Sequence, residues 1–299
     1  MKIKSLKKFT TRFKQLAFGG EPDGEVLASH SIYDDKGNVI EETRIDDDGR
    51  SEKHTFEYNP QGKLTRHHLE IEMDEVSETF EYSRDDKGRV IQEVKLYGDD
   101  EGEKVKYTFG THDQPISIER YDSDGELESI EKIIYDERDR LIEHHRFDNT
   151  NKLIEKSVIE YNEKDIPTGK QVFDGKNKLT SSTQMVYDDK NELVRVTEKN
   201  SDGKIVSDII TVYDDNGNVI ERKIKDFHSR TLRFKYDERN NCIEEETYDV
   251  HGNLTMKSNY EFDENNRLVH ESGYYLDMNR GAQMGNSQSR YVYEFSESS

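Results

Sequence analysis

The most regular feature of the chain is an aromatic residue that recurs every 23 to 27 positions. The residue two positions earlier is usually large as well, and this spacing places both side chains on one face of a β-strand. The recurring positions are Tyr33, Tyr58, Tyr82, Phe109, Tyr135, Tyr161, Tyr187, Tyr213, Tyr236 and Phe262. We interpret them as a structural aromatic ladder that stacks from repeat to repeat. The alternative is an exposed aromatic track for a peptide or glycan.

Turn-forming residues follow the ladder positions at a fixed distance. Four residues after most ladder positions comes Gly, Asn or Asp, the residue types that tolerate a positive φ angle. The turn glycines are Gly37, Gly62 and Gly217, with Gly252 in the same place of a second half-unit. Apolar residues resume two positions later. Each repeat of about 26 residues therefore predicts two antiparallel strands joined by tight turns.

Ten such repeats predict an all-β fold without a long crossover connection. We expect a repetitive antiparallel β-meander of about 20 strands across residues 29–295, followed by a disordered tail at residues 296–299. The expected shape is an elongated sheet, twisted or curled, with two open edges. Open edges favour pairing with other chains, so a homo-oligomer is one expectation.

The first 20 residues differ from the repeats. They contain six basic residues and no acidic residue. The apolar residues Ile3, Leu6, Phe9, Phe13 and Leu16 recur at helical spacing, which predicts a short basic amphipathic helix over residues 1–20. We expect this helix to cap the first edge strand. The alternative is an anchor on a membrane surface or a docking segment for a partner.

Composition narrows the function classes. Hydrophobic residues make up 31% of the chain, charged residues make up 36%, and the net charge is -21. The 17 Tyr and 12 Phe argue against disorder. Such an acidic body repels phosphate groups, so we expect no binding of nucleic acid. The single Cys242, with no secretory signal and no long apolar stretch, predicts a cytoplasmic location.

The candidate chemical groups have simpler structural explanations. The acidic hairpin turns are too short to supply the six to eight converging oxygens that calcium needs. The pairs His67-His68 and His144-His145 each alternate faces on a strand, so neither predicts a metal site. The sequence has no nucleophile–base pattern, phosphate-binding loop or zinc spacing. We therefore predict a non-enzymatic protein without catalytic residues, metal or cofactor.

One motif resembles a known family. The half-unit Tyr-Asp-x-x-Gly-x-Leu/Val begins at Tyr33, Tyr213 and Tyr248. It resembles the tyrosine-aspartate (YD) repeats of bacterial RHS proteins, and the resemblance covers roughly residues 29–276. The resemblance implies a continuous antiparallel sheet that curls as it lengthens. In the large members of that family the sheet closes into a shell around a toxin.

These features favour a bacterial β-repeat protein that binds or scaffolds another protein. We expect the ladder on one face of the sheet and a partner, basic by charge complementarity, on the acidic opposite face. One alternative is an immunity or antitoxin-type protein that neutralises a basic toxin. Another is a peripheral component of a secretion or toxin-delivery system.

Overall fold

The computed structural model describes residues 2–15, 20–46, 48–72, 76–98, 100–111, 113–277 and 282–296, which form 22 β-strands. The first eleven strands are β1 (Ile3–Gln15), β2 (Gly20–Tyr33), β3 (Val39–Ile45), β4 (Ser51–Tyr58), β5 (Leu64–Ile71), β6 (Val76–Arg84), β7 (Val90–Tyr97), β8 (Asp100–Phe109), β9 (Pro115–Tyr121), β10 (Leu127–Tyr135) and β11 (Leu141–Asp148). The other eleven are β12 (Leu153–Tyr161), β13 (Pro167–Asp174), β14 (Leu179–Tyr187), β15 (Leu193–Asn200), β16 (Ile205–Tyr213), β17 (Val219–Lys225), β18 (Arg230–Tyr236), β19 (Cys242–Tyr248), β20 (Leu254–Phe262), β21 (Leu268–Asp277) and β22 (Ala282–Phe295). Within these ranges, no helix has the length and apolar character needed to cross a membrane.

The strands close into one antiparallel barrel. Each strand pairs with the next one along the chain, and β1 pairs with both β2 and β22. At about 4.8 Å per strand, the 22 strands give a circumference of roughly 105 Å across the strand direction. The turns that lead from an even-numbered strand to the next odd-numbered strand (even-to-odd turns) lie at one rim of the barrel. The turns that lead from an odd-numbered strand to the next even-numbered strand (odd-to-even turns) lie at the other rim.

Closure corrects the prediction of an elongated sheet with open edges. The local pattern predicted the meander, but the edge strands are paired through the contact of β1 with β22. Curling of a long twisted sheet brings its two ends together, and pairing them satisfies the backbone groups of both. Among the described strands no open edge remains, so the argument for a homo-oligomer through open edges no longer holds.

The predicted N-terminal helix is wrong. Residues Ile3–Gln15 form β1, which lies between β2 and β22. Leu6 faces Ser31 and Tyr293, whereas Phe9 faces Leu27 and Arg290. Apolar residues three positions apart therefore lie on opposite faces of a strand instead of on one side of a helix. Of the five predicted anchor residues, Ile3, Leu6, Phe9 and Phe13 lie on β1, and Leu16 is outside the described residues.

The barrel wall has two unlike faces. The aromatic face carries the ladder and the residues two and four positions before it, such as Tyr135, Ile133 and Glu131 on β10. Most exposed strand residues, including Lys53 and Lys132, lie on the second face. The aromatic face is thus the more enclosed of the two. No large side chain of the described residues is fully buried, as expected for a single-layer wall that lacks a central core.

The turns repeat one hydrogen-bonding scheme. In the turn after β2, Oδ1 of Asp34 accepts the backbone N–H groups of Lys36 and Asn38, each at 2.8 Å. The fourth turn residue takes a left-handed conformation, which Gly adopts without strain and Asn or Asp tolerates. Positive φ angles occur at the predicted turn glycines Gly37, Gly62, Gly217 and Gly252, and at Asp139, Asn151, Asp165, Asn177, Asn191, Asn240 and Asn266.

Candidate functional site

The ladder tyrosines tie each repeat to the preceding one. Nine of the ten ladder residues are the last residue of an even-numbered strand. The hydroxyl of Tyr161, at the end of β12, donates to the carbonyl oxygen of Leu141, the first residue of β11, at 2.8 Å. A β-bulge disturbs the β10–β11 ladder at this point, so the hydroxyl supplies a partner for that carbonyl. The same bond is made by Tyr58, Tyr135, Tyr187, Tyr213, Tyr236 and Tyr293.

The third repeat uses an arginine where the others have an aromatic residue. Tyr82 lies two residues before the end of β6, and Arg84 is the last residue of that strand. The guanidinium of Arg84 donates to the carbonyl oxygen of Leu64 at 2.9 Å, which is the bond that a ladder tyrosine makes elsewhere. Because of the two additional residues after Tyr82, its ring lies on the aromatic face two residues further from the turn than the other ladder rings.

A histidine pair lies within the aromatic face. Nδ1 of His54 and Nε2 of His67 are 2.9 Å apart, and one donates to the other. His54 is 8% exposed, and His67 stacks between Phe56 and Phe80 with centroid distances of 4.7 and 5.6 Å. Burial and the neighbouring His54 lower the pKa of His67. The adjacent His68 lies on the second face, where it bonds to Thr79 at 2.9 Å.

Most charged side chains on the strands are paired across the sheet. On the aromatic face, Arg120 and His144 both contact Glu131, at 2.9 and 2.8 Å. On the second face, Lys257 contacts Glu244 and Glu246 at 2.6 and 2.9 Å. These contacts neutralise charge locally and explain why the second face carries both signs of charge.

No metal centre is formed by the described residues, in which no three His, Cys, Asp or Glu side chains converge. His67 and His68 point to opposite faces, and His144 and His145 bond separately to Glu131 and Glu143. The only cysteine, Cys242, is half-buried, and burial raises the pKa of its thiol. A raised pKa keeps the thiol protonated near neutral pH, which makes it a poor nucleophile.

Unpaired acidic side chains are concentrated on one rim. In eight of the even-to-odd turns, the second residue is Asp or Glu, and all eight are exposed. None of the eight carboxylates accepts a hydrogen bond or pairs with a cation in the described part of the chain. We call this set the acidic rim: Asp35, Asp86, Glu137, Glu163, Asp189, Asp215, Glu238 and Glu264.

The first acidic residue of each turn has a different role from the second. Asp136 accepts hydrogen bonds from the side chain of Arg140 and from two backbone N–H groups, which lower its pKa to about 2. A hydrogen bond from Asn218 similarly lowers the pKa of Asp214. The first carboxylate therefore faces into its own turn, and the second is left in solvent.

Several cations of this rim contact the neighbouring turn. Lys36 donates to the carbonyl oxygen of Pro60 in the next turn at 2.8 Å, and Arg239 donates to that of Asp263 at 2.8 Å. Arg138 pairs with Asp165 of the following turn at 2.9 Å. These bridges connect neighbouring turns, and none of the three cations pairs with one of the eight exposed carboxylates. The rim can therefore present a fixed array of negative charge to a positively charged surface.

The sequence interpretation expected acidity on a face of the sheet and missed the rim. The signal was present as repeated Asp-Asp and Asp-Glu pairs directly after the ladder residue, as at residues 34–35 and 136–137. Both members look alike in the sequence. Only the turn geometry shows that the first is bound by the backbone and the second is exposed.

Comparison with known proteins gives distant structural likeness alone. No protein-family model matches the chain, and no curated protein matches it. A crystal structure of TcdB2-TccC3 without its hypervariable C-terminal region is 14% identical with a TM-score of 0.48, covering 92% of this chain and 16% of that chain. The Photorhabdus luminescens Tc holotoxin pore is 11% identical with a TM-score of 0.37, covering 89% and 20%. A porin-like protein from Bacteroides uniformis is 10% identical with a TM-score of 0.37, covering 98% of both chains.

Proposed function

We propose that the protein is a non-enzymatic binding scaffold whose acidic rim docks onto a basic surface of a partner protein. The observation that carries this proposal is the array of eight exposed carboxylates without partners, held on one rim by lateral bridges between turns. Fixed charges of one sign speed the encounter with an oppositely charged protein and make it depend on salt. The regular repetition of the turns supports a broad contact surface over a single reactive centre.

The lateral bridges support docking because they fix the rim before a partner arrives. Lys164 donates to Oδ1 of Asn191 in the next turn at 3.0 Å, and Asn218 donates to Oδ1 of Asn240 at 3.0 Å. A partner therefore meets turns whose backbone is already ordered. Less conformational entropy is lost on binding when the surface is organised beforehand.

The test is capture of a partner from native extract, followed by measurement of its affinity for a rim variant. The rim variant carries Asp189→Asn, Asp215→Asn, Glu238→Gln and Glu264→Gln. The matched control removes four exposed carboxylates from the opposite rim through Asp48→Asn, Asp124→Asn, Glu126→Gln and Asp202→Asn. Both variants change the net charge equally.

We expect the rim variant to lose on the order of tenfold or more in affinity and much of the salt dependence, while the control stays near wild type. Equal losses in both variants would show that the response reflects net charge alone and would refute docking at the rim. A purified chain that turns over a small substrate at the aromatic face would refute the non-enzymatic proposal.

A further inference from the structure

Two turns of the rim opposite the acidic rim carry an apolar side chain at the equivalent turn position. The second residue of six odd-to-even turns is Ser123, Asn149, Gly175, Ser201, Phe227 and Val250. None of these is acidic. The two apolar members lie in the turns after β17 and β19, which are neighbouring turns on this rim.

Phe227 and Val250 are held in solvent by the turn scheme itself. Oδ1 of Asp226 accepts the backbone N–H of His228 at 2.8 Å, and Oδ1 of Asp249 accepts that of His251 at 2.9 Å. Each bond closes the turn and leaves the second residue at its tip. Phe227 is 95% exposed and Val250 is 65% exposed. Neither side chain contributes burial to the fold, and the two lie on neighbouring turns of one rim, a grouping that is typical of an interaction surface.

Further exposed apolar residues lie close to the same two tips. Met256 on β20 and Tyr275 on β21 face each other in the strand register, three residues from this rim on the aromatic face, and even there they are 48% and 52% exposed. Ile205 and Val206 begin β16, also at this rim, and both are exposed. We call Ile205, Val206, Phe227, Val250, Met256 and Tyr275 the apolar sector.

The charge around the apolar sector is balanced. Lys204, Lys225 and Arg230 offset Asp202, Asp226 and Asp249. Asp226 and Asp249 are bound within their own turns, whereas the side chains of Lys204 and Lys225 are exposed. The acidic rim lies at the other end of the barrel. This sector is therefore a place where the acidic protein can approach an anionic surface without strong repulsion.

We propose that the apolar sector is a lipid-contact surface through which the barrel docks onto a bilayer. Phe227 and Val250 enter the boundary between headgroups and acyl chains, and Tyr275 lies at the headgroup level that tyrosine prefers. The exposed Lys204 and Lys225 contact the lipid phosphates. The acidic rim then points away from the membrane.

The arrangement of the apolar residues favours lipid over a protein pocket. Phe227 and Val250 stand at the tips of separate hairpins, and each is flanked in the sequence by Asp and His. A protein interface is centred on well-packed, desolvated anchors that fit a matching pocket. A bilayer accepts separate apolar tips at one height without shape complementarity.

The first test is flotation of the full chain with vesicles of phosphatidylcholine, alone and with phosphatidylserine added. We expect the wild type to float with the vesicles and the Phe227→Asp, Val250→Asp variant to lose on the order of tenfold in the bound fraction. The control, Ser123→Asp with Asn149→Asp, places the same charges at the same turn position in turns outside the apolar sector and should stay within about twofold of wild type. All four substitutions lie in exposed turns, so unchanged circular dichroism should confirm the fold.

A second test uses fluorescence, because the chain contains no tryptophan. Phe227→Trp should give an emission that shifts to shorter wavelength when vesicles are added, whereas Ser123→Trp, in a turn outside the apolar sector, should give no shift. Failure of the wild type to float with either vesicle, or equal losses in both aspartate variants, would overturn the proposal. So would capture of a soluble protein through Phe227 without any binding to vesicles. The acidic-rim proposal is unaffected by these outcomes because its variants lie at the other end of the barrel.

Discussion

At the residue scale, the ladder position separates into two physical roles. Its ring packs on the aromatic face, and its hydroxyl bonds to a carbonyl of the preceding repeat. Phe109 and Phe262 keep the ring alone, while Arg84 keeps the hydrogen-bond donor alone. Burial raises the pKa of Tyr135 and of Tyr187, so their hydroxyls stay protonated donors at neutral pH.

Removing one ladder hydroxyl should cost a measurable part of the stability. Tyr161→Phe keeps the ring but leaves the carbonyl oxygen of Leu141 without the bond at 2.8 Å. We expect the free energy of unfolding in urea to fall by about 1 kcal/mol. The matched control is Tyr33→Phe, since the described residues offer no partner to the Tyr33 hydroxyl. An equal loss in both variants would contradict the role of the hydroxyl.

The histidine pair should make stability depend on pH. The lowered pKa of His67 means that the unfolded chain takes up protons more readily than the folded chain. Stability is therefore full above the ordinary histidine pKa of about 6.5 and falls as the pH drops through that value. His67→Phe keeps the stack with Phe56 and Phe80 but removes the titrating group.

The measurement is the free energy of unfolding at about pH 7.5 and at about pH 5. We expect the difference between these two values to shrink in His67→Phe. His251→Phe, in an exposed turn, should leave the difference as in the wild type. If both variants keep the wild-type difference, the His54–His67 contact is not its source.

At the scale of a hairpin, the left-handed fourth residue of each turn decides which substitutions the turn accepts. Gly217 has a φ angle of 84°, and five equivalent turns use Asn with φ near 60°. Gly217→Val should destabilise the chain by about 1–2 kcal/mol, because a β-branched side chain resists this conformation. Gly217→Asn should cost much less. Thermal unfolding of the two variants measures the difference.

A control outside the left-handed position completes this test. Lys190 is the third residue of its turn and is exposed, so Lys190→Val should be nearly silent. Equal destabilisation by Lys190→Val and Gly217→Val would count against the turn assignment.

Local patterns predicted the strands and turns because each hairpin is specified by residues next to it in the sequence. A ladder residue, a turn Asp or Asn and a left-handed residue recur in most repeats, and the turn residues interact within four positions of one another. β1 was not predicted because residues on both of its faces are half-exposed, so its sequence does not alternate between apolar and polar residues. Leu6 and Phe9, for example, are both apolar and lie on opposite faces. Their spacing matches a helix by coincidence. The bond from Arg84 to the carbonyl oxygen of Leu64 was not predicted, because only the structure shows that Arg84 takes the place of a ladder tyrosine.

At the scale of the whole molecule, the seam between β1 and β22 determines whether the sheet is a barrel. Lys7 pairs with Glu294 at 2.8 Å, and Lys8 pairs with Glu271 at 2.7 Å. The basic N-terminal segment thus covers an edge as a strand and not as the predicted helix. Closure depends on residues almost 290 positions apart, so no local pattern could reveal it.

A disulfide across the seam tests closure directly. Lys7 and Val292 are register partners, a spacing that a disulfide spans without backbone movement. Lys7→Cys with Val292→Cys, in a Cys242→Ser background, should oxidise readily and raise stability by roughly 5 kcal/mol through its very long loop. Gel mobility and urea unfolding measure these two effects. The control pair, Lys7→Cys with Val158→Cys on β12, should not cross-link within one molecule.

The seam also brings the two termini of the described fold together, since the backbone N–H of Ser296 donates to the carbonyl oxygen of Lys2 at 3.0 Å. Joining these ends with a short linker and cutting the chain at any hairpin would give a permuted gene with the same neighbour order around the ring. The place where synthesis starts would then be a free choice among equivalent hairpins, and the order in which repeats fold would follow that choice.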